Sequence, residues 1–145
     1  MSYIKISLSF TKDRSQREVA VDDKVQIVDA DDQCPSLALV EGEGHARAVI
    51  WPGIGARMRS VHLFDLGPGA KTKQQHHPME AVYYVVEGQA VAVDPSDGSR
   101  QAARAGSMIF VEPDTPYEIR ADGGSVRIVG GPCPPDPTLY EHLES

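Results

Sequence analysis

The chain has 145 residues, 41% of them hydrophobic, which is enough apolar material for one domain with its own core. Its 21 acidic and 14 basic residues give a net charge of −7, and the basic residues are scattered along the sequence. Because nucleic acids and anionic membranes require a concentrated positive surface, neither is an expected partner. No segment resembles a signal peptide or a membrane span, so we expect a cytoplasmic protein.

Glycine and proline divide the chain into short apolar runs, as is typical of an all-β domain. In the N-terminal segment Ile4–Phe10, apolar and polar residues alternate, which predicts a strand with one apolar face. This strand belongs either to the main domain or to a contact with a partner subunit. Residues 11–32 are charged, with candidate strands at 19–21 and 25–28.

The two cysteines, Cys34 and Cys133, lie far apart in the sequence and outside any cluster with the spacing of zinc ligands. We expect both to be free thiols, since a core of this size needs no covalent cross-link. A disulfide between them is the alternative.

From residue 46 onwards, the pattern predicts a series of short strands separated by turns. The clearest turn is Asp94–Gly98, whose Asp-Pro-Ser-Asp-Gly sequence predicts a hairpin. The predicted strands cover residues 48–51, 60–66, 81–86, 90–93, 107–111, 117–120 and 126–129.

The last residues predict a short C-terminal helix that packs on the domain. Asp136 stands at an N-cap position and Pro137 at the first helical position. Leu139, Tyr140 and Leu143 then form an apolar stripe at helical spacing.

The segment from Gly69 to Gly88 resembles the first motif of the cupin superfamily, G-x5-H-x-H-x3,4-E-x6-G, without a gap in the spacing. Gly69 takes the first glycine position and Gly88 the closing one. Gln75 and His77 take the two histidine positions, and Ala81 takes the glutamate position.

A second segment, Gly106 to Ala121, is similar to the second cupin motif, G-x5-P-x-G-x2-H-x3-N. Gly106 matches, whereas Glu112 and Asp114 replace the proline and the glycine. Tyr117 takes the histidine position and Ala121 the asparagine position.

The resemblance implies an all-β double-stranded β-helix, which is a jelly-roll barrel, over residues 46–131. Strands and a loop over 1–45 precede the barrel, and a tail with a short helix over 132–145 follows it. In the family, three histidines and one glutamate usually hold iron, manganese, nickel or zinc in the barrel. Since His77 alone matches these ligands, we expect either no metal or a weaker site for one divalent transition metal.

Strand alternation predicts which side chains face the barrel interior. Gln75, His77 and Tyr83 point inward in the register of the motif, whereas His76 and Glu80 point outward. In an alternative register, a β-bulge near Tyr83 turns Glu80 inward beside His76.

The outward side of the same strand carries the apolar row Val82, Tyr84 and Val86. Such a row is too large to remain in contact with water, so another strand or another subunit should cover it. We therefore expect a homodimer, as many cupins form.

The candidate catalytic residues are His77 and Tyr117, because imidazole and phenol groups exchange protons with substrates. Arg59 precedes the strand of His62 and is a candidate for steering an anionic substrate. The candidate substrate-binding residues are Gln75, His62, Tyr83 and Arg59. If a metal binds, His77 is the expected ligand, with Gln75, His62 and Tyr117 as possible co-ligands. His45, in a polar loop, and His142 have no assigned role.

These residues favour a small-molecule enzyme: an isomerase, cyclase or lyase that acts on an oxygenated metabolite by acid–base or weakly metal-assisted chemistry. One alternative is a metal-free binding or sensor domain without catalysis. Another is a metal-dependent dioxygenase with a non-standard ligand set. An enzyme should contain at least one titratable pocket residue whose acidity is perturbed by its neighbours.

Overall fold

Two antiparallel β-sheets form the computed structural model, which describes residues 24–143. The predicted strand Ile4–Phe10 and the candidate strand at 19–21 lie outside the described residues. The strands in chain order are β1 (Ser36–Leu37), β2 (Val40–Glu41), β3 (Gly44–Ile50), β4 (Val61–Leu66), β5 (Lys71–Thr72), β6 (Glu80–Glu87), β7 (Gln89–Asp94), β8 (Ser99–Arg104), β9 (Met108–Val111), β10 (Glu118–Ala121) and β11 (Val126–Cys133). Short 3₁₀-helices lie at Pro52–Ile54 and at Pro137–Leu143, the second at the position of the predicted C-terminal helix.

The six-stranded sheet has the order β1-β3-β4-β11-β6-β9, and the five-stranded sheet has the order β2-β5-β10-β7-β8. Strands β7 and β8 form the predicted hairpin, with Asp94 paired to Ser99 across its turn. The last strands on one side of the two sheets are β9 and β8. This arrangement is the all-β, two-sheet architecture that the cupin resemblance implies.

Several strands differ from the sequence predictions. The sheets include β1 and β2, which precede the predicted barrel start at residue 46. Val25–Val28 belongs to neither sheet, and Val25 projects into solvent. Strand β8 was missed because its sequence, Ser-Arg-Gln-Ala-Ala-Arg, is mostly polar, as suits an exposed edge strand.

Gly88, at the closing glycine position of the first motif, ends β6 in a conformation that requires glycine. Its φ is +90°, and a Cβ at this position would lie 2.3 Å from the carbonyl oxygen of Ser125. Any other residue would meet this backbone and adopt an unfavourable left-handed conformation. The motif glycine therefore lets β6 turn tightly beside the neighbouring chain.

The core lies between the two sheets. Its largest buried side chains come from alternate positions on the inner strands and include Phe64, Leu66, Tyr83, Val85, Ile119 and Ile128. Polar side chains are buried as well, among them His62, Gln75, His77 and Asp136. A buried polar group is costly unless it is hydrogen-bonded, so these side chains mark the part of the interior that requires explanation.

The outer face of the six-stranded sheet is apolar and only partly covered. Leu63 and Val129 pack with Val28 and Cys34 at one side of this face. At the other side, Tyr84 and Val86 on β6 and Met108 and Phe110 on β9 are exposed. The homodimer that such a row suggests stays a prediction.

Both cysteines are free thiols, as expected, with Cys34 buried and Cys133 half-buried. The Cys34 thiol donates a hydrogen bond to the carbonyl oxygen of Asp29. Within residues 24–143, no helix has the length and apolar character needed to cross a membrane.

Candidate functional site

A path of hydrogen bonds connects buried side chains inside the barrel. His77 Nδ1 lies 2.7 Å from Asp136 Oδ2, and His77 Nε2 lies 3.1 Å from the Tyr117 hydroxyl and 3.1 Å from Gln75 Oε1. The Tyr117 hydroxyl also contacts the hydroxyl of Tyr83. We call these five residues, Gln75, His77, Tyr83, Tyr117 and Asp136, the interior network. His77 and Tyr117 are each 4% exposed, so the network is shielded from bulk water.

Different parts of the chain bring the interior network together. Gln75 and Tyr117 form an antiparallel bridge in which each backbone N–H donates to the carbonyl oxygen of the other. His77 lies two residues beyond this bridge, and its carbonyl oxygen accepts from the backbone N–H of Asp114. Tyr83 points inward from β6. The two motif segments are therefore locked side by side by backbone bonds before any side-chain contact is considered.

Asp136 is the member of the network that the sequence interpretation missed. It was predicted only as a helix N-cap, and its Oδ1 does accept from the backbone N–H and the hydroxyl of Thr138. Its Oδ2 reaches His77, which is 59 positions earlier in the chain. Local sequence patterns do not predict contacts between residues so far apart. The one hint in the sequence is that Asp136 stands alone among prolines shortly after the last strand.

Asp136 is ionised and sets the tautomer of His77. Burial raises the pKa of the Asp136 carboxyl, but hydrogen bonds from His77 and Thr138 outweigh burial and hold the pKa below its ordinary value. A carboxylate accepts hydrogen bonds and cannot donate them, so His77 Nδ1 carries a proton. Nε2 can then accept from Tyr117 when the ring is neutral, or donate to Gln75 Oε1 when it is charged. Both protonation states of His77 are hydrogen-bonded.

The two phenols of the network are neutral at rest. Burial raises the pKa of Tyr117 above the ordinary range of a phenol, and the neighbouring Tyr83 and Asp136 raise it further. Burial also raises the pKa of Tyr83, although hydrogen bonding to Tyr117 partly opposes this. Each phenol therefore keeps a proton that it can pass on.

His62 forms a separate buried pair. Contrary to expectation, it does not join the interior network. Its Nε2 lies 2.6 Å from the hydroxyl of Tyr140, which reaches into the barrel from the C-terminal 3₁₀-helix. Among the residues that the structure describes, its Nδ1 has no hydrogen-bond partner, and it faces Gly131, where a Cβ would lie 3.1 Å away. Burial, with a smaller effect from His77, lowers the pKa of His62 to about 4, so the ring is neutral.

The outward-facing residues follow the predicted register. His76 and Glu80 are exposed, and β6 pairs with β11 without a bulge from Glu80 to Val85. The alternative in which Glu80 turns inward beside His76 is therefore wrong, because continuous pairing keeps the alternation intact. His76 instead lies 3.9 Å from the carboxylate of Asp114 at the surface.

Arg59 and the two histidines without an assigned role lie away from the network. Arg59 is exposed, and its Nη1 lies 4.0 Å from Cys133 Sγ, outside the interior. His45 was assigned to a polar loop, but it lies on β3, where it is 3.2 Å from the Asp65 carboxylate that Arg127 also binds. His142, on the C-terminal 3₁₀-helix, donates to the carbonyl oxygen of Ser36.

A cavity of about 420 Å³ opens between β8 and β9, where the two sheets end. Its walls include Val93, Gln101, Ala103, Ile109, Val111 and Thr115. Tyr117 also lines this cavity. Among the described lining residues, it is the one that belongs to the interior network. Tyr117, which lines the cavity, is therefore hydrogen-bonded to the buried His77–Asp136 pair.

The donor atoms of the interior network do not fit the divalent metal that the cupin resemblance implies. His77 contributes one imidazole nitrogen, because its other ring nitrogen is bound to Asp136. The remaining donors are one carboxamide and two phenols that burial keeps protonated, whereas divalent transition metals favour imidazole, thiolate and carboxylate ligands. Across residues 24–143, no three His, Cys, Asp or Glu side chains are arranged to hold an ion.

The sheet order, the motif segments and the polar interior define a β-barrel of the double-stranded β-helix class. A family model described as a cupin domain matches residues 62–129, which covers both motif segments. These residues therefore form a cupin domain. No curated protein matches the chain.

Solved structures with the same fold include the polyketide cyclase RemF from Streptomyces resistomycificus, at 22% identity and a TM-score of 0.61 over 83% of this chain and 94% of that one. A predicted oxalate decarboxylase from Thermotoga maritima matches at 18% identity and a TM-score of 0.60, over 73% and 96%. A cupin-like protein from the same organism matches at 16% identity and 0.60, over 68% and 74%. At these identities the likeness establishes the fold alone.

Proposed function

We propose that the protein is a small-molecule enzyme that transfers protons within an oxygenated substrate, as an isomerase, cyclase or lyase. The observation that carries this proposal is the unbroken path Asp136–His77–Tyr117, whose last member lines the cavity. A carboxylate that orients an imidazole and stabilises its charged form is the arrangement of a general base. Because the His77–Asp136 pair is hydrogen-bonded to a tyrosine of the cavity wall, the arrangement favours catalysis over simple binding.

Tyr117 is the group that we assign to direct contact with the substrate. When the Tyr117 oxygen takes a proton from a substrate carbon or hydroxyl, its own proton passes to His77 Nε2. The imidazolium that forms is stabilised by the Asp136 carboxylate at Nδ1 and by Gln75 Oε1 at Nε2. Return of the proton from His77 to Tyr117, and from Tyr117 to another substrate atom, completes an isomerisation.

Gln75, Asp136 and Tyr83 act in this scheme as positioning residues. Asp136 holds the His77 ring in one tautomer, and Gln75 accepts from the charged ring. The Tyr83 hydroxyl, hydrogen-bonded to the Tyr117 hydroxyl, fixes the position of the Tyr117 oxygen. None of these steps passes through a metal, in keeping with the donor set. The fold that the chain shares with a polyketide cyclase accommodates cyclisation among the proposed reactions.

A deuterium-exchange assay tests the proposal without knowledge of the natural substrate. The protein is incubated in D₂O with a panel of neutral ketones and hydroxyketones, and the loss of α-proton signals is followed by ¹H NMR. We expect the wild type to accelerate exchange for at least one compound. Tyr117→Phe and His77→Gln should each reduce the acceleration by roughly 100-fold or more, which is the usual contribution of general acid–base catalysis.

Tyr84→Phe is the matched control, because it removes a phenol hydroxyl from the exposed outer face of the barrel. Its exchange rate should equal that of the wild type. The proposal is wrong if Tyr117→Phe retains full activity. It is equally wrong if compounds that bind in the cavity exchange no faster with the wild type than in buffer.

A further inference from the structure

We infer that the cavity between β8 and β9 selects ligands without negative charge. The inference deepens the proposed function, on which it rests, by naming a substrate class for the same site. Its basis is the charge and chemistry of the cavity walls.

The cavity walls contain two carboxylates and no basic side chain among the described residues. Asp94 stands at the end of β7 and Glu112 directly after β9, so acidic groups lie on both sides of the opening. The Asp94 carboxylate is fixed by hydrogen bonds from the backbone N–H and hydroxyl of Ser96. An anion in this cavity would meet repulsion from two directions and would find no counterion.

The arginines nearest in sequence do not line the cavity. Strand β8 carries Arg100 and Arg104, whereas its residues in the cavity wall are Ser99, Gln101, Ala102 and Ala103. Arg59, the sequence candidate for steering an anion, is not part of the cavity wall either.

The other lining residues indicate the polarity and size of the ligand that the cavity can bind. Ile109, Val111 and Val93 are apolar, and Gln101 and Tyr117 are lining residues that carry hydrogen-bonding groups. A volume of about 420 Å³ suits a small molecule. We therefore assign the cavity to a neutral or cationic compound with an apolar body and hydroxyl or carbonyl groups, and not to a carboxylate or phosphate ester.

An NMR titration of the full-length chain with three matched probes tests this assignment. Benzyl alcohol, benzylammonium and benzoate share one ring and differ in charge. At neutral pH and low salt, the first two should shift the backbone amides of Gln101, Ile109 and Thr115. Benzoate should bind there roughly tenfold more weakly, which corresponds to about 1.4 kcal/mol.

Removal of the two cavity charges should remove the selectivity. In the double variant Asp94→Asn with Glu112→Gln, the difference between benzyl alcohol and benzoate should fall below roughly threefold, and Asn keeps the turn acceptor that Ser96 requires. The control, Glu80→Gln with Glu141→Gln, removes the same net charge from exposed positions outside the cavity. It should retain the selectivity of the wild type.

The inference is overturned if benzoate binds in the cavity as tightly as benzyl alcohol, or if the control variant loses as much selectivity as the cavity variant. Shifts confined to amides outside the cavity overturn it too. Tyr117→Phe separates this outcome from the fate of the proposed function, because it removes the proton path but no charge. If the protein selects against benzoate but does not catalyse exchange, the charge assignment holds and the proposed function is wrong. If it catalyses exchange without this selectivity, the proposed function holds and the charge assignment is wrong.

Discussion

His62 makes the stability of the protein depend on pH, because burial holds its imidazole neutral. Its pKa is about 4 in the folded protein, against an ordinary value of 6.5 that applies to the unfolded chain. Between these values the unfolded chain binds the proton more readily, so the free energy of unfolding falls as the pH falls from 6.5 towards 4. The expected loss is about 3 kcal/mol, complete near pH 4 and absent above pH 7.

Urea unfolding at pH 7.5 and pH 4.5 measures this effect. In His62→Gln the difference between the two pH values should shrink by most of that amount, since the substituted side chain does not titrate. His142→Gln, which removes an exposed imidazole, should behave as the wild type does. If His62→Gln and the wild type lose the same stability on acidification, another group is responsible.

Asp136 is a positioning residue, and its substitution should reduce turnover more than substrate binding. Asp136→Asn leaves an amide that can donate as well as accept, so His77 Nδ1 no longer has to carry the proton. We expect kcat for the exchange reaction to fall by roughly 100-fold with little change in KM, since Asp136 does not line the cavity.

A ¹⁵N NMR spectrum of the imidazole nitrogens distinguishes this role from a structural one. In the wild type, Nδ1 should be the protonated nitrogen of neutral His77, and in Asp136→Asn the tautomer should become mixed. Thr138→Val is the control, because it removes the hydroxyl that binds Asp136 Oδ1 but keeps the carboxylate on His77. An unchanged tautomer with reduced kcat would contradict the positioning role.

At the scale of elements, the C-terminal 3₁₀-helix packs against the core of the barrel. Tyr140 on this helix is 1% exposed, its ring lies 5.2 Å from that of Trp51, and its hydroxyl binds His62. Tyr140→Phe keeps the packing but leaves His62 Nε2 without a partner. The free energy of unfolding should fall by about 1–3 kcal/mol, the usual penalty for an unsatisfied buried polar group.

Chemical denaturation of Tyr140→Phe measures this loss, with Tyr84→Phe as the matched change at an exposed position. Exchange activity per folded molecule should be unchanged in both variants, because His62 lies outside the interior network. Equal stability of Tyr140→Phe and the wild type would show that the hydrogen bond to His62 contributes nothing net.

The strands of the barrel were largely predictable because local patterns encode them. Alternation places Ala81, Tyr83 and Val85 inside and Glu80 and Tyr84 outside, as the structure does. The exposed edge strand β8 escaped prediction, because an edge needs no apolar face. The position of the C-terminal helix and its packing on the barrel were predictable from its cap and apolar stripe, but the hydrogen bond between Tyr140 and His62 was not.

Across the whole molecule, the candidate site was predictable only in part. The spacing of the two cupin motifs indicated Gln75, His77 and Tyr117, and the structure brings these residues together. Asp136 and Tyr140 reach the two interior histidines from the tail, through contacts between residues distant in sequence. Such contacts depend on the path of the tail across the folded barrel, and periodic sequence patterns do not predict that path. The two cupin motifs therefore locate the centre of the site, whereas the tail supplies its carboxylate, Asp136.

The outer face of the six-stranded sheet, which residues 24–143 cover only in part, predicts that two copies of the chain associate as a homodimer. Tyr84 on β6 pairs across the sheet with Met108 on β9, so their exposed side chains share one face with Val86 and Phe110. A contiguous apolar surface of this kind is unfavourable in water, and a second copy offers a surface of the same character. Light scattering after size exclusion should give twice the chain mass for the wild type.

Val86→Glu places a charge within this face and should shift the protein to a monomer, because a buried carboxylate without a partner opposes association. Val86 does not line the cavity and is not part of the interior network, so exchange activity per chain should persist. Met58→Glu is the control, since it charges a side chain that is 77% exposed and lies before β4, off the sheet. A monomeric wild type at micromolar concentrations, or equal dissociation of both variants, would show that this face is not the interface.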